Sequence, residues 1–246
     1  MRTKQNSDRL FADPRAFFIT AFGLAVAGFW PSFFAILPST SPVLLVHGFS
    51  ATLWMLLPLF QAWAVRSGLR QVHRKVGYAS LALAFVLVVS GLHVVQLMVL
   101  RNPEAVSVTS VKFVWLDLTG LALFTFFLVA AIRAARAKDF HLHVRLLACT
   151  SIIPLEAALE RLLLMLFPRM IADFDASLNC TLILLETVCA ALVVLDWRRA
   201  NRSWPFAVLL GYYLLMHLTL EPVASDPAFQ SFSVWFARLG GFSPPA

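Results

Sequence analysis

The sequence has little charge for its length. Of its 246 residues only 13% are Asp, Glu, Lys or Arg, whereas 60% are hydrophobic, and the mean hydropathy is +0.79. A soluble globular domain has about 25% charged and about 45–50% apolar residues. The composition therefore excludes a disordered chain, a collagen-like chain and a soluble enzyme, and it predicts a polytopic membrane protein.

Cysteine is also scarce, and short metal-binding motifs are missing. The three cysteines, Cys149, Cys180 and Cys189, lie in apolar runs. They show neither a CxxC spacing nor the framework of a disulfide-rich secreted domain, so we expect small buried residues. Neither HExxH nor HxxxH occurs. The sequence also has no internal repeat of about 20–50 residues.

Seven apolar runs are about as long as the ~20 residues that a helix needs to cross a bilayer. They lie at 16–37, 43–65, 76–100, 113–132, 146–167, 177–195 and 204–220. Lipid offers no water to open backbone groups, so each run is predicted to be helical. The first run lacks a small-x-small cleavage site and is expected to remain as a span. The fold class is thus an all-α bundle of seven transmembrane helices over 16–220.

The distribution of Lys and Arg predicts the orientation of the bundle. Fifteen of the twenty basic residues lie in the tail 1–15 or in the connections 66–75, 133–145 and 198–202. These segments alternate with poorly basic ones, as the positive-inside rule requires. We therefore expect a bacterial inner-membrane protein with a cytoplasmic N-terminus and an extracytoplasmic C-terminus. Its net charge of +7 then indicates contact with anionic lipid headgroups rather than with nucleic acid.

The last segment, 221–246, is too polar to be a span. Aromatic residues between Phe229 and Arg238 lie on one side of a short predicted helix. Such a helix is expected either to lie in the outer membrane interface or to pack as a cap over the bundle. Gly240 and Gly241 are expected to end it.

Eight titratable residues lie well inside the apolar runs. An ionisable group facing lipid at the bilayer centre costs about 2.5–3.5 kcal/mol on insertion scales, so these side chains should face one another or water. All eight are expected in the outer half of the bundle or at its middle, which predicts one shared polar chamber. They are His47, His93, Asp117, Glu156, Glu160, Arg161, Glu186 and His217.

Two of the carboxylates share one face of the fifth run. Glu156 and Glu160 are four residues apart, which places them on the same side of a helix. Arg161 is rotated by about 100° from Glu160 and can reach another neighbour, for which Asp117 is the candidate. Pro154 is predicted to kink this run. Pro58 is a second candidate for a kink, in the second run.

A second polar set lies at the cytoplasmic ends of the spans. It consists of His73, His141 and His143, with Asp196 closing the sixth run. Because His73 and His143 open the third and fifth runs, they lie at the same depth.

One chemistry that such histidines support is b-type haem binding. It needs two neutral histidines from different helices at one depth. His47 with His93 or His217 satisfies this on the outer side, and His73 with His143 satisfies it on the inner side. Transmembrane electron transfer through haem is therefore the first functional hypothesis.

Under this hypothesis two further residues have supporting roles. Arg161 offsets a haem propionate or a buried carboxylate, and Asp117 orients a histidine ring.

Two other hypotheses use the same outer residues. Zinc or iron is expected to be bound by histidine and carboxylate, which predicts a metal-dependent hydrolase. Proton-coupled transport, or a structural polar core in a subunit of a larger membrane complex, needs no cofactor. The candidate metal ligands are His47, His217, Asp117, Glu156, Glu160 and Glu186.

Several short motifs occur in order: Val46-His47-Gly48, Gln61, His73-Arg74-x-x-Gly77, and His143-x-Arg145 leading to Arg161. Over residues 43–165 this pattern resembles an uncharacterised family of bacterial polytopic membrane proteins with HRxxG and HxR motifs. The resemblance implies a membrane bundle and no particular activity.

The pattern is more distantly similar to cytochrome b561-type bundles. That similarity implies inner haem ligands at His73 and His143 and an outer ligand at His47. Asp117 stands where such a bundle has its second outer histidine, so His93 or His217 would have to replace it.

Overall fold

The computed structural model describes residues 14–101, 108–171, 173–198 and 204–239. Within these residues all regular structure is helical, without a strand. The basic tail up to residue 13, the basic residues Arg199 and Arg202, and the proposed helix end at Gly240 and Gly241 lie outside the described residues.

Nine α-helices follow one another along these ranges. They are α1 (Arg15–Phe29), α2 (Pro42–Arg66), α3 (Arg70–Leu100), α4 (Val108–Arg136), α5 (Phe140–Ile152), α6 (Leu155–Leu166), α7 (Phe174–Arg198), α8 (Pro205–Ala224) and α9 (Pro227–Arg238). A short 3-10 helix, Phe34–Ser39, lies between α1 and α2.

The helices are those of an integral membrane protein, but they do not make seven simple spans. Five of them, α2, α3, α4, α7 and α8, are long and apolar enough to cross a membrane, and α5 with α6 makes a sixth, bent candidate. Large apolar side chains such as Phe85, Trp197 and Leu218 remain exposed on the outside of the bundle. Exposed apolar surface of this extent fits contact with lipid.

The first predicted span is corrected. Its helix ends at Phe29 instead of running to residue 37. Fifteen residues of α-helix span about 22 Å, which is less than the ~30 Å hydrocarbon core. The sequence explains the early end, because Pro31 has no N–H to continue the helical hydrogen bonds and its ring opposes the preceding turn.

The kink predicted at Pro154 is confirmed, and the one considered at Pro58 does not break its helix. Helix α5 ends at Ile152, α6 begins at Leu155, and the two are bent by 44°. Helix α2 continues from Pro42 through Pro58 to Arg66. Backbone groups beside Pro154 are therefore left without their regular helical partners.

The bundle is built around α4, α5, α7 and α8. Their buried side chains form most of the largest hydrophobic cluster, which includes Phe127, Leu146, Leu182 and Leu209. Helix α1 packs against α2 and α6, and α2 packs against α3. The α2–α3 and α4–α5 connections lie at the basic end of the bundle, beside Arg66, Arg70, Arg136 and Lys138, and the opposite end is called the outer end.

Helix α9 lies across the outer ends of α3 and α4. The Gln96 side-chain amide of α3 donates hydrogen bonds to the carbonyls of Phe236 and Leu239, at 3.1 and 3.0 Å. The ring of Trp115 in α4 meets that of Phe229 edge to face. The helix predicted from the aromatic pattern is therefore present and is fixed to the bundle at both ends.

Candidate functional site

Two buried carboxyl groups begin the second half of the bent span. Glu156 lies in the first turn of α6 and is 6% exposed, and Glu160, one turn later, is 1% exposed. The Oε1 atom of each is buried without a hydrogen-bond partner. The i, i+4 spacing predicted a shared face, and both carboxyl groups do point into the bundle.

Asp117 of α4 and Arg161 of α6 complete this group. Asp117 and Arg161 are both electrostatic neighbours of Glu156 and Glu160. The guanidinium of Arg161 donates to the carbonyl of Ala157 at 2.6 Å, and its central carbon lies 4.9 Å from the ring centroid of Phe29. We call Asp117, Glu156, Glu160 and Arg161 the carboxyl cluster.

Two tyrosines of α8 border the carboxyl cluster, and the sequence analysis missed them. Tyr212 donates its hydroxyl hydrogen bond to the carbonyl of Leu116 at 3.0 Å and lies 3.3 Å from the Thr119 hydroxyl. Tyr213 is fully buried and its hydroxyl has no partner. Both are electrostatic neighbours of Glu156. The signal that could have identified them is a phenol in the middle of an apolar run, because a buried hydroxyl needs a partner.

Glu186 and His217 form a separate pair between α7 and α8. The Nδ1 atom of His217 lies 2.9 Å from Oε1 of Glu186. Glu186 is absent from the electrostatic neighbours of Glu156 and Glu160. These two predicted site residues are therefore brought together with each other rather than with the carboxyl cluster.

His47 and His93 lie on the opposite side, where α2 packs against α3. Nδ1 of His47 is 3.3 Å from the Ser90 hydroxyl, and the ring is also close to Gly91. His93 is half-buried, three residues after Ser90 on the same helix. His47 and His93 thus lie at similar depth on α2 and α3, whereas His217 pairs with Glu186 between α7 and α8.

His73 and His143 are neighbours at the basic ends of α3 and α5. His143 is an electrostatic neighbour of His73, and the ring of His73 is close to the backbone of Gln61. His143 donates from Nδ1 to the carbonyl of Ala131 at 2.9 Å when that nitrogen carries the proton. Nδ1 of His73 and Oε1 of Gln61 are buried without partners. The two histidines and Gln61, distant in sequence, are therefore assembled in one place.

A second buried charge pair was missed by the sequence analysis. Arg145 of α5 donates three hydrogen bonds of 2.9 to 3.1 Å to the carboxylate of Asp196 in α7. Their side chains are 1% and 7% exposed. Both residues lie toward the basic ends of α5 and α7, and only the spatial contact of α5 with the end of α7 pairs them.

The contacts of the described residues divide the eight titratable residues of the spans into three groups. Four make the carboxyl cluster, two make the Glu186–His217 pair, and His47 and His93 lie between α2 and α3. Among the residues that the structure describes, no group of three or more His, Cys, Asp or Glu side chains is arranged to hold a metal ion. The carboxyl groups that meet do so around an arginine, and the histidines lie elsewhere.

Comparisons with known proteins add no assignment to this geometry. Neither the family models, nor the curated proteins, nor the solved structures include a match to the chain.

Proposed function

We propose that the protein carries protons across the membrane and that the carboxyl cluster takes up and releases the proton. The observation that carries this proposal is a set of three carboxyl groups from two apolar helices, close to one guanidinium, of which Glu156 and Glu160 are buried and Asp117 is half-buried. Ionisable residues inside membrane spans typically mark proton or solute pathways.

The charge balance of the cluster supports proton binding. If Asp117, Glu156 and Glu160 were all ionised, Arg161 would offset only one of three negative charges. Burial of an unpaired carboxylate in a low dielectric costs several kcal/mol, so such groups take up protons instead. The unpartnered Oε1 atoms of Glu156 and Glu160 are where an acidic hydrogen or an incoming hydrogen-bond donor would be accommodated.

The break in the span supports a transport role in particular. Discontinuous helices place half-helix ends and freed backbone groups beside the binding sites of many transporters. Here the break at Ile153–Pro154 immediately precedes Glu156. The N-terminus of α6 carries a partial positive charge that favours the ionised state of a first-turn carboxylate.

Proton uptake by purified protein in vesicles tests this function. We expect vesicles that contain pyranine and a valinomycin-driven, inside-negative potassium potential to acidify faster with the protein than without it. Glu160→Gln is expected to reduce this rate about tenfold. Asp173→Asn is the matched control, because Asp173 is exposed and Asn keeps its capping hydrogen bond to the Ala176 N–H. Equal rates with wild-type protein, with Glu160→Gln and without protein would refute the proposal.

A second candidate function, electron transfer through b-type haem, is favoured by the approach of His73 to His143. The two imidazoles come from different helices at one depth, which is the arrangement that bis-histidine ligation requires. The neighbouring His47 and His93 are the corresponding outer candidates.

An absorption spectrum of the purified protein distinguishes the two functions. Protein expressed with ample haem supply is expected to show a Soret band that shifts on dithionite reduction if haem is bound. His143→Ala should then lose the band, and His141→Ala, an exposed neighbour, should keep it. A colourless protein removes the redox candidate and leaves proton transport.

A further inference from the structure

A polar cavity opens at the outer ends of α4, α7 and α8. Its volume is about 60 Å³, and its polar lining consists of Lys112, Asp175, Asn179, His217 and Glu221. A site needs about 10–15 Å³ and two or more polar partners to hold a water molecule. The cavity is therefore large and polar enough to hold water.

A lysine closes the base of this cavity. Nζ of Lys112 lies 3.3 Å from Oδ1 of Asp175 and 2.5 Å from Oε2 of Glu221. The lysine side chain is only 10% exposed, whereas those of Asp175 and Glu221 are 42% and 67% exposed. The ammonium thus joins α4 to α7 and α8 behind two carboxylates that reach solvent.

Asp175 connects the cavity to the carboxyl cluster. It is an electrostatic neighbour of Glu160, whose other charged neighbours are Arg161, Asp117 and Glu156. The first turn of α7 is attached to α6 at this point, because the buried Ser177 hydroxyl donates to the carbonyl of Glu160 at 2.7 Å. Glu160 is therefore the member of the cluster that lies nearest the cavity.

The other wall of the cavity leads to the Glu186–His217 pair. His217 lines the cavity and bonds to Glu186 further along α7. The charged groups facing His217 are Lys112, Asp175 and Glu221 across the cavity and Glu186 behind it.

We propose that the cavity between Lys112, Asp175 and Glu221 is the outer port through which water and protons reach Glu160. Its role in transport rests on the proposed function, whereas the access route itself does not. The only chemical step is proton transfer among water, the carboxylates of the port and the carboxyl group of Glu160, in which an O–H bond of the donor breaks as one forms on the acceptor oxygen.

Blocking the cavity with a charged adduct tests the port. Asn179→Cys in a Cys180→Ser background places a thiol on the cavity wall, while the other two cysteines are buried. The membrane-impermeant cation MTSET would attach a trimethylammonium group there. Ser225→Cys in the same background is the matched control, since Ser225 is exposed beyond the end of α8 and does not line the cavity.

The first readout is hydrogen–deuterium exchange of the Glu160 carboxylic acid. Its infrared C=O band is identified by its loss in Glu160→Gln. After MTSET treatment we expect the shift of this band in D₂O to be at least about fivefold slower in Asn179→Cys than in Ser225→Cys. Equal exchange rates, no labelling of Asn179→Cys, or no Glu160 band at all would overturn the port.

The second readout separates the port from the proposed function. In the pyranine vesicles MTSET should slow acidification for Asn179→Cys and leave Ser225→Cys unchanged. If wild-type vesicles show no protein-dependent acidification but exchange at Glu160 is still blocked, the port stands and the transport function fails. If acidification depends on Glu160 and the adduct slows neither readout, the function stands and the port is wrong.

Discussion

Arg145 and Arg161 belong to the two halves of the same bent span and are satisfied in different ways. Arg145 meets the carboxylate of Asp196 through three hydrogen bonds. The Arg161 guanidinium donates a hydrogen bond to the Ala157 carbonyl and lies near all three carboxyl groups of the cluster. Arg145 and Asp196 therefore form a fixed structural ion pair. The guanidinium of Arg161 can instead balance the carboxyl cluster in more than one protonation state.

Removal of Arg145 is expected to destabilise the protein strongly. Arg145→Met leaves Asp196 buried and unpaired, and breaking a buried pair from one side costs about 3–5 kcal/mol. We expect a lower thermal unfolding midpoint in detergent than for wild type. Arg198→Met, an exposed arginine of α7, should leave the midpoint nearly unchanged. Adding Asp196→Leu to Arg145→Met should recover part of the loss, and an Arg145→Met protein as stable as wild type would contradict the structural role.

Arg161→Leu is expected to reduce the yield of folded protein far more than Arg169→Leu. Arg169 is exposed, whereas loss of Arg161 leaves three neighbouring carboxyl groups without their cation. The measurement is the monodisperse fraction in size-exclusion chromatography after detergent extraction. If the two variants give equal monodisperse fractions, Arg161 is not needed to balance the cluster.

The bent span depends on a close crossing by α1. Gly28 lies against the backbone of Ala158 in α6, and a Cβ atom at Gly28 would overlap the Ala158 carbonyl. Because backbone atoms cannot rotate away, any side chain at this position must push α1 from α6. Gly28 therefore allows α1 to pack closely against α6, the helix that carries Glu156, Glu160 and Arg161.

Gly28→Ala is consequently expected to destabilise the bundle although Ala is the better helix former. Overpacking at a tight site costs about 1–3 kcal/mol. Gly23→Ala, in the same helix, meets nothing within 4 Å and should be neutral or slightly stabilising. Thermal unfolding midpoints of the two variants provide the comparison, and equal midpoints would mean that α1 and α6 are not in contact at Gly28.

Helix α1 is short, but it lies along the side of the bundle. Gly28 meets Ala158, which lies eight residues before the outer end of α6. The thirteen helical residues that precede Gly28 extend about 20 Å from there toward the basic end. The chain continues from Phe29 through the 3-10 helix to the outer end, where α2 begins at Pro42.

We therefore expect the N-terminus on the cytoplasmic side and the C-terminus on the opposite side. Alkaline phosphatase fused after residue 246 should be active in cells, and a fusion in the connection 137–139 should be inactive, because the enzyme folds only outside the cytoplasm. A split fluorescent tag at the N-terminus should complement a cytoplasmic partner. Failure of that tag to complement would mean that α1 does not cross.

Composition and local pattern already predicted the membrane character, the helical runs and the break at Pro154. Those properties depend on apolar length and on single residues that cannot continue a helix, so neighbouring residues suffice to predict them. The early end of α1 was readable in principle from Pro31, but hydropathy continued past it and suggested a longer helix.

The partners of the titratable residues could not be predicted in the same way. Lipid-facing and bundle-facing positions are both apolar, so hydropathy does not report how each helix is rotated about its axis. Folding placed Glu156 and Glu160 near Asp117 and Arg161, joined His217 to Glu186, and kept His47 apart beside Ser90. These contacts depend on how side chains from distant segments pack. The depth of a residue along its helix does not predict which other residues it contacts.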